Sequence, residues 1–183
     1  MKKLALMVLG FLCFAPVAQA QPVYGKPMYD PVSKSYFELV KVSKEQSPGS
    51  SSPALPYDKA AVAATGRAFK GTPGRLAIIR HSDTHLFIMH NLRPNEAAWI
   101  GLRYLCKPRE LRWVNGEMLS KGQFQAWDKQ WDQSGIAGCV KGGGETDWMP
   151  VAYSPAAEGF RWIAKGGKKI YVAYLVEYPT GKE

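Results

Sequence analysis

Aromatic and acidic side chains are concentrated between residues 127 and 148 of the chain. An exposed Trp offers a flat apolar ring for a sugar or a protein partner, and neighbouring acids can accept hydrogen bonds from sugar hydroxyls or basic groups. The alternative is that these rings pack the segment onto the rest of the protein. The candidate ligand-binding residues are Trp127, Asp128, Trp131, Asp132, Glu145, Asp147 and Trp148.

Two histidines, His81 and His85, are four residues apart, a spacing that on a helix lets two imidazoles share a zinc ion. The predicted helix begins after His81, however, and no third ligand stands at a firm spacing. The sequence has no G-x-S-x-G, P-loop or H-E-x-x-H motif. We therefore predict no metal, no cofactor and no catalytic residue, and a protein that is not an enzyme.

Residues 1–20 have the organisation of a secretory signal peptide. Lys2 and Lys3 precede an uncharged apolar run, and Ala18-Gln19-Ala20 is a small-x-small cleavage pattern. The alternative is an uncleaved membrane anchor, but the run is about half of what a bilayer span needs. We expect cleavage after Ala20 and an exported protein, periplasmic or secreted, with no stable membrane insertion.

The exported chain would keep two cysteines, Cys106 and Cys139. An even number of cysteines in an exported protein predicts a disulfide between them. Closing such a loop stabilises a fold by about 3–4 kcal/mol in the chain-entropy model. Two separate buried thiols are the alternative.

The chain is basic, with a formal net charge of +9 that becomes 9 − 2 = +7 once Lys2 and Lys3 are removed. The basic residues are spread along the sequence apart from a small cluster at Lys165, Lys168 and Lys169. A nucleic-acid-binding arm would be more concentrated, so we predict no nucleic-acid partner. Anionic envelope polymers or lipid headgroups fit an exported basic protein better, and an ordinary solvated basic surface is the alternative.

Apolar patterns and turn residues predict the elements that position these side chains. A Ser-, Pro- and Gly-rich loop fills residues 43–56, and residues 118–150 read as irregular. Asp58 is predicted to cap a helix that runs to Phe69, and Ser82 to cap a second helix over residues 83–91. The predicted strands are residues 35–42, 75–80, 98–105, 111–117, 160–164 and 169–178.

The tetrad Trp99-Ile100-Gly101-Leu102 is the most informative piece of the sequence. Side chains alternate along a strand, so Trp99 and Gly101 face one way and Ile100 and Leu102 the other. Large apolar groups on both faces predict a strand buried on both sides, and Gly101 leaves room for a close neighbour. We predict that the core contains Trp99, Ile100, Gly101, Leu102 and Trp113.

The order of these pieces resembles the C-type lectin-like domain. The tetrad matches the family's signature strand, "RWVNGE" looks like its W-x-D/N-G turn, and "YLVEY" is similar to the closing strand of bacterial members. The resemblance covers Met28 to Tyr178 and implies one domain over residues 21–183. It implies an α+β fold, with two helices flanking small antiparallel sheets and a long irregular loop region.

Sugar-binding members of that family use a calcium site built from Glu-Pro-Asn or Gln-Pro-Asp and a later Trp-Asn-Asp. Here the first triplet is missing, and Ile163 and Ala164 follow Trp162 where Asn and Asp are expected. Calcium needs six to eight oxygen ligands, so we expect no site of this type. The resemblance implies an exported bacterial binding module for a glycan or a protein, independent of calcium. The alternative is a secreted effector or envelope protein that docks a protein partner through its basic surface. The sequence leaves the oligomeric state open.

Overall fold

The computed structural model describes residues 21–128, 148–164 and 169–181, so the predicted signal peptide lies outside the described residues. Two α-helices are present in this part, α1 (Tyr57–Thr65) and α2 (Ser82–Phe87). A π-helix (Ile88–Leu92) continues α2, and one 3-10 turn covers Ala156–Glu158. The strands are β1 (Met28–Asp30), β2 (Ser35–Lys41), β3 (Ala68–Phe69), β4 (Thr72–Pro73), β5 (Arg75–Leu76), β6 (Ala98–Leu105), β7 (Glu110–Trp113), β8 (Trp148–Tyr153), β9 (Trp162–Ala164) and β10 (Ala173–Pro179).

The main sheet is built around the last strand. β1, β2, β10, β6, β8 and β9 lie side by side in that order, with β5 also paired to β10 and β7 to β6. β10 runs antiparallel to β2 along its whole length and parallel to β6 at Ala173 and Tyr174. β3 and β4 form a separate hairpin. The long-range pairing of β2 with β10 brings the two ends of the domain together.

The side chains of β10 alternate between two apolar clusters, one on each face of the sheet. Ala173 and Leu175 join one cluster, and Tyr174 and Val176 join the other. The predicted final strand is present, although it begins at Ala173 rather than at residue 169. A strand with apolar side chains on both faces must be covered on both sides, and here helix α1 packs against one of them.

β6 also contributes to both clusters. Trp99 lies in the cluster that includes α1, and its indole Nε1 donates to the carbonyl of Leu55 at 2.8 Å. Ile100 and Leu102 lie in the opposite cluster, together with Trp113 of β7. These four side chains are buried, so β6 is covered on both faces.

Helix α1 differs from its prediction at both ends. The residue that precedes it is Pro56, in an extended conformation, and Asp58 lies one position inside the first turn. A proline fits there because the first amides of a helix have no intrahelical partner in any case. The helix ends at Thr65, and Phe69 belongs instead to the β3–β4 hairpin. The expected Asp58 cap and the end at Phe69 were therefore wrong.

The predicted strand 75–80 is shorter in the structure. β5 ends at Leu76. The amide of the next residue still bonds to β10, but the amide after that bonds to a side chain. Ala77 donates to the carbonyl of Leu175 at 2.9 Å, and the amide of Ile78 donates to the carboxylate of Glu177 at 3.1 Å. The second helix is confirmed as an element, but Ser82 is its first residue rather than its cap, and His81 precedes it.

One strand was missed. Residues 118–150 were expected to be irregular, yet β8 begins at Trp148 and pairs with both β6 and β9. Pro150 makes this run look unlike a central strand, because proline donates no ladder hydrogen bond. In the structure Pro150 stands where the β6–β8 register shifts, so the ladder is already interrupted at that point. Within the described residues, no helix is long and apolar enough to cross a bilayer.

Candidate functional site

The segment after β7, residues 118–127, forms one wall of the candidate site. It is tied to β7 by the amide of Leu119, which donates to the carbonyl of Leu111 at 2.9 Å. It is tied to β9 by two more bonds, from Trp162 to the carbonyl of Ala126 and from Asp128 to the carbonyl of Trp162. The segment has little regular secondary structure, as predicted, but its backbone is fixed at both ends.

Trp127 lies at the end of this wall and is half-buried. Its ring stands edge-on to the buried Trp162, with centroids 5.6 Å apart, and its Nε1 donates to the side-chain oxygen of Gln125 at 2.7 Å. Trp162 also contacts the rings of Trp113 and Phe124 edge-on. Trp127 is therefore partly structural, and its side chain is only half-buried.

A groove of about 910 Å³ lies between this wall and the β6–β7 hairpin. Its surface combines aromatic, amide, hydroxyl and charged groups, a mixture suited to a polar ligand with an apolar ring face. The described residues that line it are Tyr104, Arg109, Glu110, Leu111, Met118, Leu119, Ser120, Lys121, Gln123, Gln125 and Trp127.

The polar groups of the wall are held by hydrogen bonds among themselves. The amide of Ser120 donates to the side-chain oxygen of Gln123 at 2.7 Å. The side-chain nitrogen of Gln125 donates to the carbonyl of Ser120 at 3.1 Å, while its oxygen accepts from Trp127. Both glutamines are therefore oriented before any ligand arrives, which lowers the entropic cost of binding.

The groove carries two exposed cations, one on each side. Arg109 is at the hairpin turn between β6 and β7, in a left-handed conformation with φ 58°, and Lys121 belongs to the opposite wall. Glu110, the one acid among the described lining residues, is paired with the guanidinium of Arg112 at 2.8 Å. The described part of the groove is therefore electropositive.

Trp148, another predicted ligand residue, lies elsewhere. It is the first residue of β8 and is half-buried. Its ring stands edge-on to Tyr57 of helix α1 with centroids 5.2 Å apart, and the guanidinium of Arg103 lies 5.8 Å from its ring centroid. Trp148 is not among the groove's lining residues. Of the other candidates, Asp128 directly follows the wall, and Trp131, Asp132, Glu145 and Asp147 lie outside the described residues.

The histidines do not converge on a metal site in the structure. His81 is exposed, whereas His85 points inward, contacts the hydroxyl of Tyr153 through Nδ1 and packs against Phe124. Burial, and secondarily the charge of Arg161, lowers the pKa of His85 to about 4, so its ring is neutral at pH 7. In the part of the chain that the structure describes, no three His, Cys, Asp or Glu side chains are grouped as metal ligands.

Three buried carboxylates could suggest acid–base chemistry, but each has structural partners. Glu38 accepts from Arg67 and from the hydroxyl of Tyr178. Glu177 accepts from Arg75 and from the amide of Ile78. Burial, and then Glu38, raise the pKa of Tyr178 to about 12. These groups cross-link β2, β5 and β10 and offer no open face to a substrate.

The third carboxylate, Asp30, closes the turn after β1. It accepts from the amides of Val32 and Ser33 at 3.2 Å and from the hydroxyl of Thr84 at 2.7 Å. The last bond anchors helix α2 to the edge of the sheet, so this side chain is structural as well.

Cys106 directly follows β6 and is half-buried, next to the hairpin that borders the groove. Cys139 lies outside the described residues, so their pairing stays a prediction.

The groove residues other than Trp127 were missed in the sequence, although one signal was present. In "QFQAW", Gln123, Gln125 and Trp127 alternate with Phe124 and Ala126, the period of an extended segment with one face buried. The structure has this pattern, with Ala126 buried and Phe124 packed on the core.

Comparison with known proteins agrees with this architecture. A family model described as the lectin C-type domain matches residues 70–151. The human scavenger receptor C-type lectin carbohydrate-recognition domain is similar in structure, with TM-score 0.52 and 13% identity over 79% of this chain and 91% of that one. No curated protein sequence matched the chain.

Two similar structures were solved with sugars. One is the cow carbohydrate-recognition domain of CD23 in the presence of a GlcNAc2Man3 oligosaccharide, with TM-score 0.56 and 15% identity over 89% of this chain and all (100%) of that one. The other is the C-type lectin domain of murine dendritic cell inhibitory receptor 2 in complex with an N-glycan. Its TM-score is 0.55, with 16% identity over 83% of this chain and 96% of that one. Identities this low establish the fold and leave the ligand open.

Residues 70–151 match the model of the lectin C-type domain, and the predicted α+β C-type lectin-like fold is confirmed. Ile163 is buried and pairs with Ala152 of β8, so the position after Trp162 presents an apolar side chain to the core. Neither Ile163 nor Ala164 has a side-chain oxygen for calcium.

Proposed function

We propose that this protein is an exported binding module that holds a glycan in the groove between the β6–β7 hairpin and residues 118–127, without calcium. The observation that carries the proposal is the wall itself. Trp127 stands next to Gln125, whose side chain is hydrogen-bonded to both Trp127 and Ser120. A half-exposed indole can stack on a sugar ring while oriented amides meet its hydroxyls.

The fold supports a glycan as the ligand class, because similar structures are carbohydrate-recognition domains. The missing calcium motifs support recognition by direct hydrogen bonds and stacking. The fully partnered carboxylates support binding rather than catalysis. The pattern of residues 1–20 supports export to the periplasm or the medium, which cleavage after Ala20, seen by mass spectrometry of the exported protein, would test.

The central experiment is a glycan array probed with the exported protein in calcium and in EDTA. We expect the same glycans to be bound in both, and the melting temperature to change by no more than about a degree, because no stabilising ion is removed. Binding that disappears in EDTA, or a clear drop in melting temperature, would contradict calcium independence.

Trp127→Ala tests the groove. A hot-spot Trp contributes at least about 2 kcal/mol, so the affinity for an array-identified glycan should fall about 30-fold. Tyr29→Ala is the matched control, because Tyr29 is an aromatic residue with 47% exposure outside the groove. Equal effects of the two variants would argue against the groove. Binding to a protein partner with no glycan bound would favour the alternative, docking through the basic surface.

A further inference from the structure

We infer that the groove selects glycans that carry anionic groups, and that Arg109 and Lys121 determine this selectivity. The inference rests on the proposed function and adds the chemical class of its ligand. It is carried by the charges that line the groove and by the positions from which they come.

The groove has an unbalanced set of charges. Among the residues that the structure describes, three charged residues line it: Arg109, Lys121 and Glu110. The carboxylate of Glu110 is 2.8 Å from the guanidinium of Arg112, which does not line the groove. Arg109 and Lys121 are both exposed, and no ion pair joins either of them to another residue in ranges 21–128, 148–164 or 169–181. Two cations with no counter-ion among the described residues attract an anionic ligand into the groove.

The two cations come from the two segments that border the groove. Arg109 is carried by the turn of the β6–β7 hairpin, and Lys121 by the opposite wall beside Ser120. A glycan that lies along the groove therefore passes between the two cations, while Trp127 and Gln125 contact its sugar rings. We therefore predict that Trp127 and Gln125 determine which sugar binds. Arg109 and Lys121 determine whether an anionic form of that sugar is preferred.

The size of the effect is modest because both cations are exposed to solvent. Exposed ion pairs contribute about 0.2–1 kcal/mol each, so removing one cation should weaken binding by about threefold and removing both by about tenfold. Salt should weaken the preference, since exposed charges are screened over about 8 Å at physiological ionic strength.

The competing explanation is the charge of the whole protein, +9 for the full chain, which attracts any polyanion. Lys59→Gln separates the two explanations. Lys59 is an exposed lysine on helix α1, outside the groove, and its substitution changes the net charge as much as Lys121→Gln does. Arg109→Asn is the variant for the hairpin, because asparagine tolerates the left-handed conformation that Arg109 adopts.

The test measures affinities for matched pairs of probes with and without an acidic group. The pairs are a galacturonate tetramer and its methyl ester, sulfated and unsulfated lactose, and mannose 6-phosphate and mannose, which separate carboxylate, sulfate and phosphate. We expect one or more acidic probes to bind better than the neutral partner. That preference should fall about tenfold in the Arg109→Asn, Lys121→Gln double variant and stay unchanged in Lys59→Gln.

Three results would overturn the inference. The first is no preference for any acidic probe, and the second is a preference that survives the double variant. The third is a preference that falls as much in Lys59→Gln as in Lys121→Gln. If array glycans still bind in a Trp127-dependent way, the proposed function stands and the charge selectivity alone fails. If no glycan binds on the array, the proposed function fails, and the inference fails with it.

Discussion

Replacing Gly101 with alanine tests the central packing contact of the fold. A Cβ at this position would lie 2.6 Å from the carbonyl oxygen of Leu76, 2.9 Å from Cγ2 of Val114 and 3.0 Å from the carbonyl oxygen of Ala77. Two of these atoms belong to the backbone, so no side-chain rotation can relieve the clash. The hydrogen of glycine is what lets β6 approach the chain after β5 so closely.

The cost follows from how far the neighbours must move. Ordinary contact begins at 3.4 Å, so one strand must shift by 3.4 − 2.6 = 0.8 Å relative to the other. That shift strains the bonds from Gly101 to the carbonyl of Ala77, at 2.8 Å, and from Val114 to the carbonyl of Gly101, at 2.7 Å. Overpacking costs about 1–3 kcal/mol and a weakened hydrogen bond about 1 kcal/mol, so we expect Gly101→Ala to lose about 2–4 kcal/mol of unfolding free energy.

Urea unfolding followed by tryptophan fluorescence measures this loss, provided that the slope with denaturant is unchanged. Gly66→Ala is the matched control, because Gly66 has φ −75° after helix α1 and its Cβ would meet atoms no closer than 3.6 Å. There the smaller entropy of the unfolded chain should leave stability unchanged or raise it by about 0.4–1 kcal/mol. A loss below about 1 kcal/mol in Gly101→Ala would refute the close-approach argument.

Two further predictions concern His85 and the cysteines. The pKa of His85 falls from 6.5 to about 4 on folding, so the unfolded chain binds more protons between those values. Unfolding free energy should therefore decrease as pH drops from 6.5 to 4, by about 1–2 kcal/mol after allowance for residual exposure. His85→Gln should flatten this part of the curve, and an unchanged slope would contradict the assignment. For the cysteines, thiol labelling of exported, unfolded and unreduced protein should find Cys106 and Cys139 blocked, and two reactive thiols would disprove the disulfide.

The buried strands were predictable because their residues leave little choice. The tetrad at β6 and the alternation along β10 require apolar cover on both faces, and the structure has an apolar cluster on each side. Helix ends were less predictable. Pro56, rather than Asp58, precedes α1. Several residues near a helix end have similar preferences for the capping position, so the sequence does not single out one of them.

The site was harder to predict than the core because tryptophan occurs both in the groove and in the packing of a strand. Trp127 and Trp148 come from the same Trp- and acid-rich stretch of sequence. One lines the groove, and the other begins β8 under the guanidinium of Arg103. Their separation depends on which backbone amides find partners across the sheet, and no property of the tryptophan itself reveals that.

The register shift in β6 joins the fold to the proposed site. Trp99 pairs with Ala152 and Arg103 with Pro150, so β6 has more residues than β8 between the same two points. Gly101 lies in that interval, and its amide bonds to Ala77 instead of to β8. Beyond it, Arg103 to Leu105 pair with β7 to form the hairpin whose turn carries Arg109. Because a bulge re-aims the strand that follows it, the close contact at Gly101 orients one border of the groove. Gly101, which does not line the groove, is thus a positioning residue for the border that carries Arg109.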